Sequence, residues 1–141
     1  MSDEPTVLEG GCSCGAVRYE VRAKPTYVGI CHCEDCRRAT GGAYVPWFGS
    51  EPANFNVTKG SIVEHVSSPR TTRGFCGTCG SSLTFGGANW NDISVTLASL
   101  DEPSALTPQS NVFLREKLPW VLVNEDMRNS DGFPEEVKSI R

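Results

Sequence analysis

The sequence predicts a mainly β domain of short antiparallel strands with very little helix, and three observations carry that expectation. Fourteen glycines and nine prolines in 141 residues interrupt helices and favour short segments joined by turns. Val17, Tyr19 and Val21 alternate with Arg18, Glu20 and Arg22, the period-2 pattern of a strand with one buried face. No window of ten or more residues holds a helical stripe.

After the alternating stretch at 17–21, Pro25 precedes a strand candidate at 26–30. Cys33-Glu34-Asp35-Cys36-Arg37-Arg38-Ala39-Thr40 fits one helical turn, ended by Gly41-Gly42, where glycine relieves the positive-φ penalty. Further strands are expected at 43–48, stopped by Gly49, at 55–58, after Asn54, and at 62–66, between Ser61 and Ser67. Two more fall at 82–85, between Ser81 and Gly86, and at 93–97, shortly before Ser99. The tail after Trp120 is more polar, with Asn124-Glu125-Asp126 and a Gly132-Phe133-Pro134 turn, and is expected to lie over the surface as irregular chain. With no internal repeat, low-complexity tract or linker, residues 1–141 read as one domain. Many short strands leave a thin core. Metal crosslinks would offset that weakness, because metal bound only by the folded state adds its binding free energy to folding.

Hydrophobic residues at 38% and charged residues at 21% exclude a disordered chain. Thirteen Lys and Arg against seventeen Asp and Glu leave a net charge of −4 and a pI near 5.2. No general attraction to nucleic-acid phosphates or anionic membranes follows from that balance. No apolar run approaches the ~18 residues of a membrane span, and Met1-Ser2-Asp3-Glu4-Pro5 is acidic where a signal peptide is basic. A soluble, cytoplasmic protein without nucleic-acid or membrane partners is expected.

Seven cysteines in such a chain are more often metal ligands or catalytic thiols than disulfides, and an odd number cannot pair fully. They form three clusters: Cys12-x-Cys14, Cys31-x-Cys33-x-x-Cys36 and Cys76-x-x-Cys79. A structural zinc takes four protein ligands and a catalytic zinc takes three, and seven divides as four and three. Cys76-Gly77-Thr78-Cys79-Gly80 has the form of a zinc knuckle, in which small residues let the backbone wrap close to the metal. Either Cys12/Cys14 or Cys33/Cys36 can complete it. Spacing favours the first pair, which leaves Cys31, Cys33 and Cys36 as a contiguous triad. Competing readings are inert buried thiols, a redox Cys76/Cys79 pair, one structural zinc beside three idle cysteines, and an iron–sulfur cluster. Tight clustering argues against the first and the lack of a thioredoxin-like βαβ pattern against the second. His32, between two cysteines on extended chain, is expected to point to the opposite face, and His65 to be a partly exposed strand residue.

Three segments together match a known pattern. They are Gly10-Gly11-Cys12-Ser13-Cys14-Gly15-Ala16-Val17-Arg18-Tyr19, Cys31-His32-Cys33-Glu34-Asp35-Cys36-Arg37 and Arg73-Gly74-Phe75-Cys76-Gly77-Thr78-Cys79-Gly80-Ser81. Lys59-Gly60, Ala98-Ser99-Leu100-Asp101, Pro103, Pro108, Trp120 and Asp131-Gly132-Phe133-Pro134 extend the match, so that it spans about 8–134. The chain resembles the family of glutathione-dependent formaldehyde-activating enzymes, which includes the centromere protein V domain. The resemblance implies an Mss4-like fold, a structural zinc on Cys12, Cys14, Cys76 and Cys79, and a catalytic zinc on Cys31, Cys33 and Cys36. It also implies formation of S-hydroxymethylglutathione from formaldehyde and glutathione, a carbon–sulfur lyase reaction run in reverse. The chain departs from the family after Pro108, where many members carry one or two histidines and this one reads Gln109-Ser110-Asn111.

A zinc ion on three thiolates carries a formal charge of −1, a weaker Lewis acid than zinc on three histidines. Such a site suits taking up a thiol, or holding a carbonyl oxygen while a thiolate attacks its carbon, more than hydrolysis. Glutathione brings two carboxylates, for which Arg37 and Arg38, directly after the triad, and Lys59 and Arg73 are candidate partners, with Trp47, Phe48 and Phe75 as apolar walls. The alternative to an enzyme is a non-catalytic, zinc-stabilised binding module. A pure scaffold would need only the four-cysteine site, so the intact triad favours the enzyme.

Overall fold

The computed structural model of the chain describes residues 6–88 and 90–133, so Pro134 and the acidic residues 1–5 lie outside the described residues. It is built on two sheets. The smaller has the order β1 (Leu8–Gly11), β2 (Arg18–Val21), β5 (Phe55–Lys59), all antiparallel. The larger contains β3 (Val28–Cys31), β4 (Val45–Ser50), β6 (Ile62–Ser68), β7 (Thr71–Cys76), β8 (Ser82–Gly86), β9 (Ile93–Thr96), β10 (Ser110–Val112) and β11 (Arg128–Asn129). Its order is β11-β10-β3-β4-β9-β8-β7-β6. One α-helix, α1 (Glu34–Thr40), follows β3. Among the described residues no helix is long and apolar enough to cross a membrane.

The alternation in β2 does what its period predicts. Val17, Tyr19 and Val21 are buried and pack with Phe48, Leu83, Val95 and Leu100 between the two sheets. Each such side chain contributes about 1.5–3 kcal/mol by leaving water. Tyr19 also bonds Ser99 through its hydroxyl, Oη to Oγ 2.7 Å, and Gly10 makes room for it: a Cβ at Gly10 would stand 2.5 Å from Tyr19 Oη. The segment after β9 is stitched to the smaller sheet by this bond, by the Asp101 N–H to Glu9 carbonyl bond at 2.9 Å, and by the Arg18–Asp101 ion pair.

Each expected strand is present with ends shifted by no more than a few residues. Four strands lacked a readable signal: β1 and β7 carry glycines that break the period, and β10 and β11 are two or three residues long. The expectation of antiparallel pairing fails at one edge. There β10 pairs in parallel with both β3 and β11, because residues 97–109 carry the chain back across the sheet before it pairs. The tail after Trp120 is likewise not merely draped on the surface. β11 adds to the sheet, and Phe133 packs edge-on against Phe113 at 4.5 Å between ring centres.

Candidate metal centres

Two turns bring Cys12 and Cys14 to Cys76 and Cys79. In the first, the Val17 N–H donates to Cys12 Sγ at 3.2 Å. In the second, the Thr78 and Cys79 N–H groups both donate to Cys76 Sγ at 3.4 Å. Gly80 closes that turn at φ 81°, a left-handed conformation that a side chain would penalise. The Ser13 N–H donates to Ser81 Oγ at 3.0 Å and ties the two turns together. All four sulfurs lie within 4.8 Å of one another, with Cys12–Cys14 at 3.6 Å and Cys14–Cys76 at 3.9 Å. A tetrahedral zinc with bonds of about 2.3 Å needs sulfur–sulfur edges of about 3.8 Å, so this donor set fits a closed four-thiolate site. The Val17 N–H lowers the Cys12 pKa, and the Ser81 hydroxyl and backbone bring Cys79 down to about 5. Cys14 is carried up to about 11 by its shared bond with Cys12 and by burial, although the Ala16 amide lowers it.

The second cluster lies where β3 runs into α1. Cys31 ends the strand, Cys33 is the N-cap of α1, and Cys36 sits in its first turn. Cys33 Sγ accepts from the Cys36 N–H at 3.3 Å, so the Cys-x-x-Cys spacing is also a helix cap. Gly41 ends α1 in the left-handed region, after two turns where one was expected. The three sulfurs lie within 4.8 Å of one another, with Cys31 and Cys36 buried and Cys33 half-buried. Three thiolates are one donor short of a closed tetrahedron. Hydrogen bonds from Cys31 and Cys33, with the charge of Arg73, hold Cys36 well below the usual thiol range, while the same shared bonds and burial push Cys31 up.

Alternation along β4 sends Val45 and Trp47 to this cluster and Phe48 to the main core. Phe85, Val112 and Phe113 pack against the same side. Ring contacts run on from Trp47 through Phe85 and Trp90 to Phe133, at 6.1, 5.0 and 5.4 Å. The result is an aromatic cup around the triad, completed by a tail whose part in it no local pattern signals.

His32 does face away from its neighbouring cysteines. Its buried ring meets Asn111 Oδ1 through Nε2 at 2.9 Å, and its backbone N–H donates to the Val112 carbonyl at 3.1 Å. Asn111 in turn donates to Asn129 Oδ1 at 3.0 Å. Asn111 therefore clamps the position between Cys31 and Cys33. His65 is exposed on β6, opposite Arg73 in register.

The candidate cations are placed differently from one another. Arg73 reaches the triad, with Nη2 and Nη1 at 3.8 and 3.9 Å from Cys36 Sγ. Arg37 directs its guanidinium to the carbonyls of His32 and Glu116, both at 3.3 Å, which buttresses the loop beneath the cysteines. Lys59 is exposed in the smaller sheet, opposite Arg18. Phe75 is half-buried on β7. A groove of about 620 Å³ runs from Cys12 and Cys79 to Thr40 and Tyr44, and it is not lined by the triad sulfurs.

The family model for the glutathione-dependent formaldehyde-activating enzyme matches residues 7–116. A Halomonas elongata protein carrying the same family name is 32% identical over 143 aligned residues, covering 92% of this chain and 90% of that protein. A Schizosaccharomyces pombe protein named as an uncharacterized lyase is 26% identical over 81 residues, 57% of this chain and 58% of that one. The crystal structure of a Rhodobacter sphaeroides protein superposes with a TM-score of 0.57 at 24% identity, over 71% of this chain and 91% of that chain, and shows the fold alone. With its seven cysteines drawn into a set of four and a set of three, the chain belongs to the glutathione-dependent formaldehyde-activating enzyme family.

Proposed function

We propose that the protein is a zinc-dependent carbon–sulfur lyase that adds the thiol of glutathione, or of a similar small molecule, to formaldehyde or another small electrophile, and catalyses the reverse. The observation that carries this reading is the unsaturated triad of Cys31, Cys33 and Cys36 standing beside a complete set of four. Cys12, Cys14, Cys76 and Cys79 would hold a structural zinc, and the triad a second, exchangeable one. Bound there, zinc supplies a weak Lewis acid that keeps a thiol ionised beside the carbonyl carbon.

The remaining work falls to the chain. Trp47 and Phe85 wall the triad and keep water from competing with the thiol. Of the candidate cations, Arg37 keeps donors not used on backbone carbonyls for a substrate carboxylate, while Arg73 is engaged at Cys36. Sulfur bonds to the carbonyl carbon and the thiol proton ends on the carbonyl oxygen, so the addition consumes no oxidant or third reactant. A cytoplasmic setting, where thiols stay reduced, suits both cysteine sets.

Two measurements test the reading. Reduced, fully loaded protein is expected to hold two zinc ions per chain, one leaving on mild chelation and one resisting it. Protein that never exceeds one zinc would rule out the open site. Because formaldehyde and thiols combine unaided, activity is read as acceleration of thiol–hemithioacetal exchange by NMR, with and without protein. A folded, two-zinc protein that leaves that rate unchanged for glutathione and a panel of simpler thiols is a binding module instead.

A further inference from the structure

Arg73 reaches the triad from β7, 37 residues along the chain from Cys36. Register places it between His65 on β6 and Phe85 on β8, and its guanidinium carbon stands 4.8 Å from the centre of the Phe85 ring. A cation held over an aromatic face has a preferred seat, and this seat directs two nitrogens at one sulfur. A divalent ion on three thiolates leaves a charge of −1 around sulfurs of which two are buried, and a buried net charge is costly without a partner. N–H donors aimed at a ligating sulfur also withdraw electron density that the sulfur would otherwise give to the metal.

We propose that Arg73 is the positioning residue that balances the charge of the Cys31/Cys33/Cys36 centre and draws electron density from Cys36 Sγ, making a metal held there more electrophilic. The proposal rests on the reading of the triad as a metal centre. It differs from a carboxylate clamp because Arg73 acts through Cys36 whether or not substrate is bound.

The test uses cobalt(II) without any thiol or aldehyde. The exchangeable site is emptied by mild chelation, leaving zinc in the four-cysteine site, and cobalt is added to wild type, Arg73→Met and Arg73→Lys. The thiolate-to-cobalt charge-transfer band is expected to move to longer wavelength in Arg73→Met, since a sulfur without its donors gives up charge more readily. Arg73→Lys, which keeps the charge, is expected to move it less. With zinc restored, kcat for exchange in Arg73→Met should fall about 10- to 100-fold, the usual effect of losing a partner of a metal ligand. KM for glutathione should stay within about twofold, because the interaction is not one made to the substrate in its ground state. An unmoved band, with or without a raised KM, overturns the proposal and leaves Arg73 as a substrate contact or a structural residue. A wild-type protein showing no cobalt–thiolate band at the triad removes the metal reading itself, and this proposal with it. Should Arg73→Met fail to fold, Arg73→Gln makes the same comparison.

Discussion

Cys12→Ser and Cys76→Ser are each expected to abolish the cooperative thermal transition or lower it by far more than Cys36→Ser. Both residues belong to the main core, packed with Tyr19, Phe48 and Leu83, while Cys31 and Cys36 belong to a separate, smaller cluster. The four-cysteine site also joins β1 to the β7–β8 turn, 62 residues apart between Cys14 and Cys76, so its loss frees a long loop. Structural zinc contributes about 10–16 kcal/mol of apparent binding energy in zinc-finger peptides, against a net stability of about 5–15 kcal/mol for an ordinary domain. Forfeiting even a third of the former removes about 4 kcal/mol, or roughly 12–16 °C in Tm for a chain of this size. Cys36→Ser, at an exchangeable site, is expected to cost no more than about 5 °C. Calorimetry of the zinc-loaded proteins reads the difference, and equal losses would mean that the roles of the two clusters are misassigned.

Cys31→Ser, Cys33→Ser and Cys36→Ser are each expected to bring thiol–hemithioacetal exchange down to the uncatalysed rate, with the fold retained. Each leaves two thiolates where three are needed to hold an exchangeable ion, and a hydroxyl does not replace a thiolate as a zinc ligand at neutral pH. The three positions should fail together, because groups that act as a unit lose nearly everything with any one member. The measurement is the exchange rate by NMR beside the far-UV spectrum and the zinc content of each variant. One triad variant that retains wild-type exchange with a single zinc bound would show that the chemistry lies elsewhere.

How much of this was legible beforehand depended on how far apart the interacting residues lie. Val17, Tyr19 and Val21 declared a buried strand face, and Cys33-x-x-Cys36 followed by Gly41 declared a capped turn, because those properties repeat within a few residues. β7, which carries Arg73, was not legible, since Arg73 and Gly74 interrupt its apolar period and its partners are supplied by β6 and β8. The role of Asn111 was equally hidden, as its partner His32 is 79 residues away and nothing near either residue announces the other.

By itself the sequence determined the β class, the buried face of β2 and the grouping of seven cysteines into three clusters, all consequences of backbone geometry over one or two turns. Spacing favoured joining Cys12 and Cys14 to Cys76 and Cys79 but also permitted Cys33 and Cys36. Only the tertiary structure places the first four sulfurs within 4.8 Å of one another, through the strand register that sets the two turns side by side. It alone sends Arg73 to Cys36, leaves Lys59 on the other sheet and brings Phe133 to the aromatic cup. The physical reason is that a local pattern constrains which face a residue presents, whereas its partner is chosen by sheet order and register, which depend on the burial of many side chains at once.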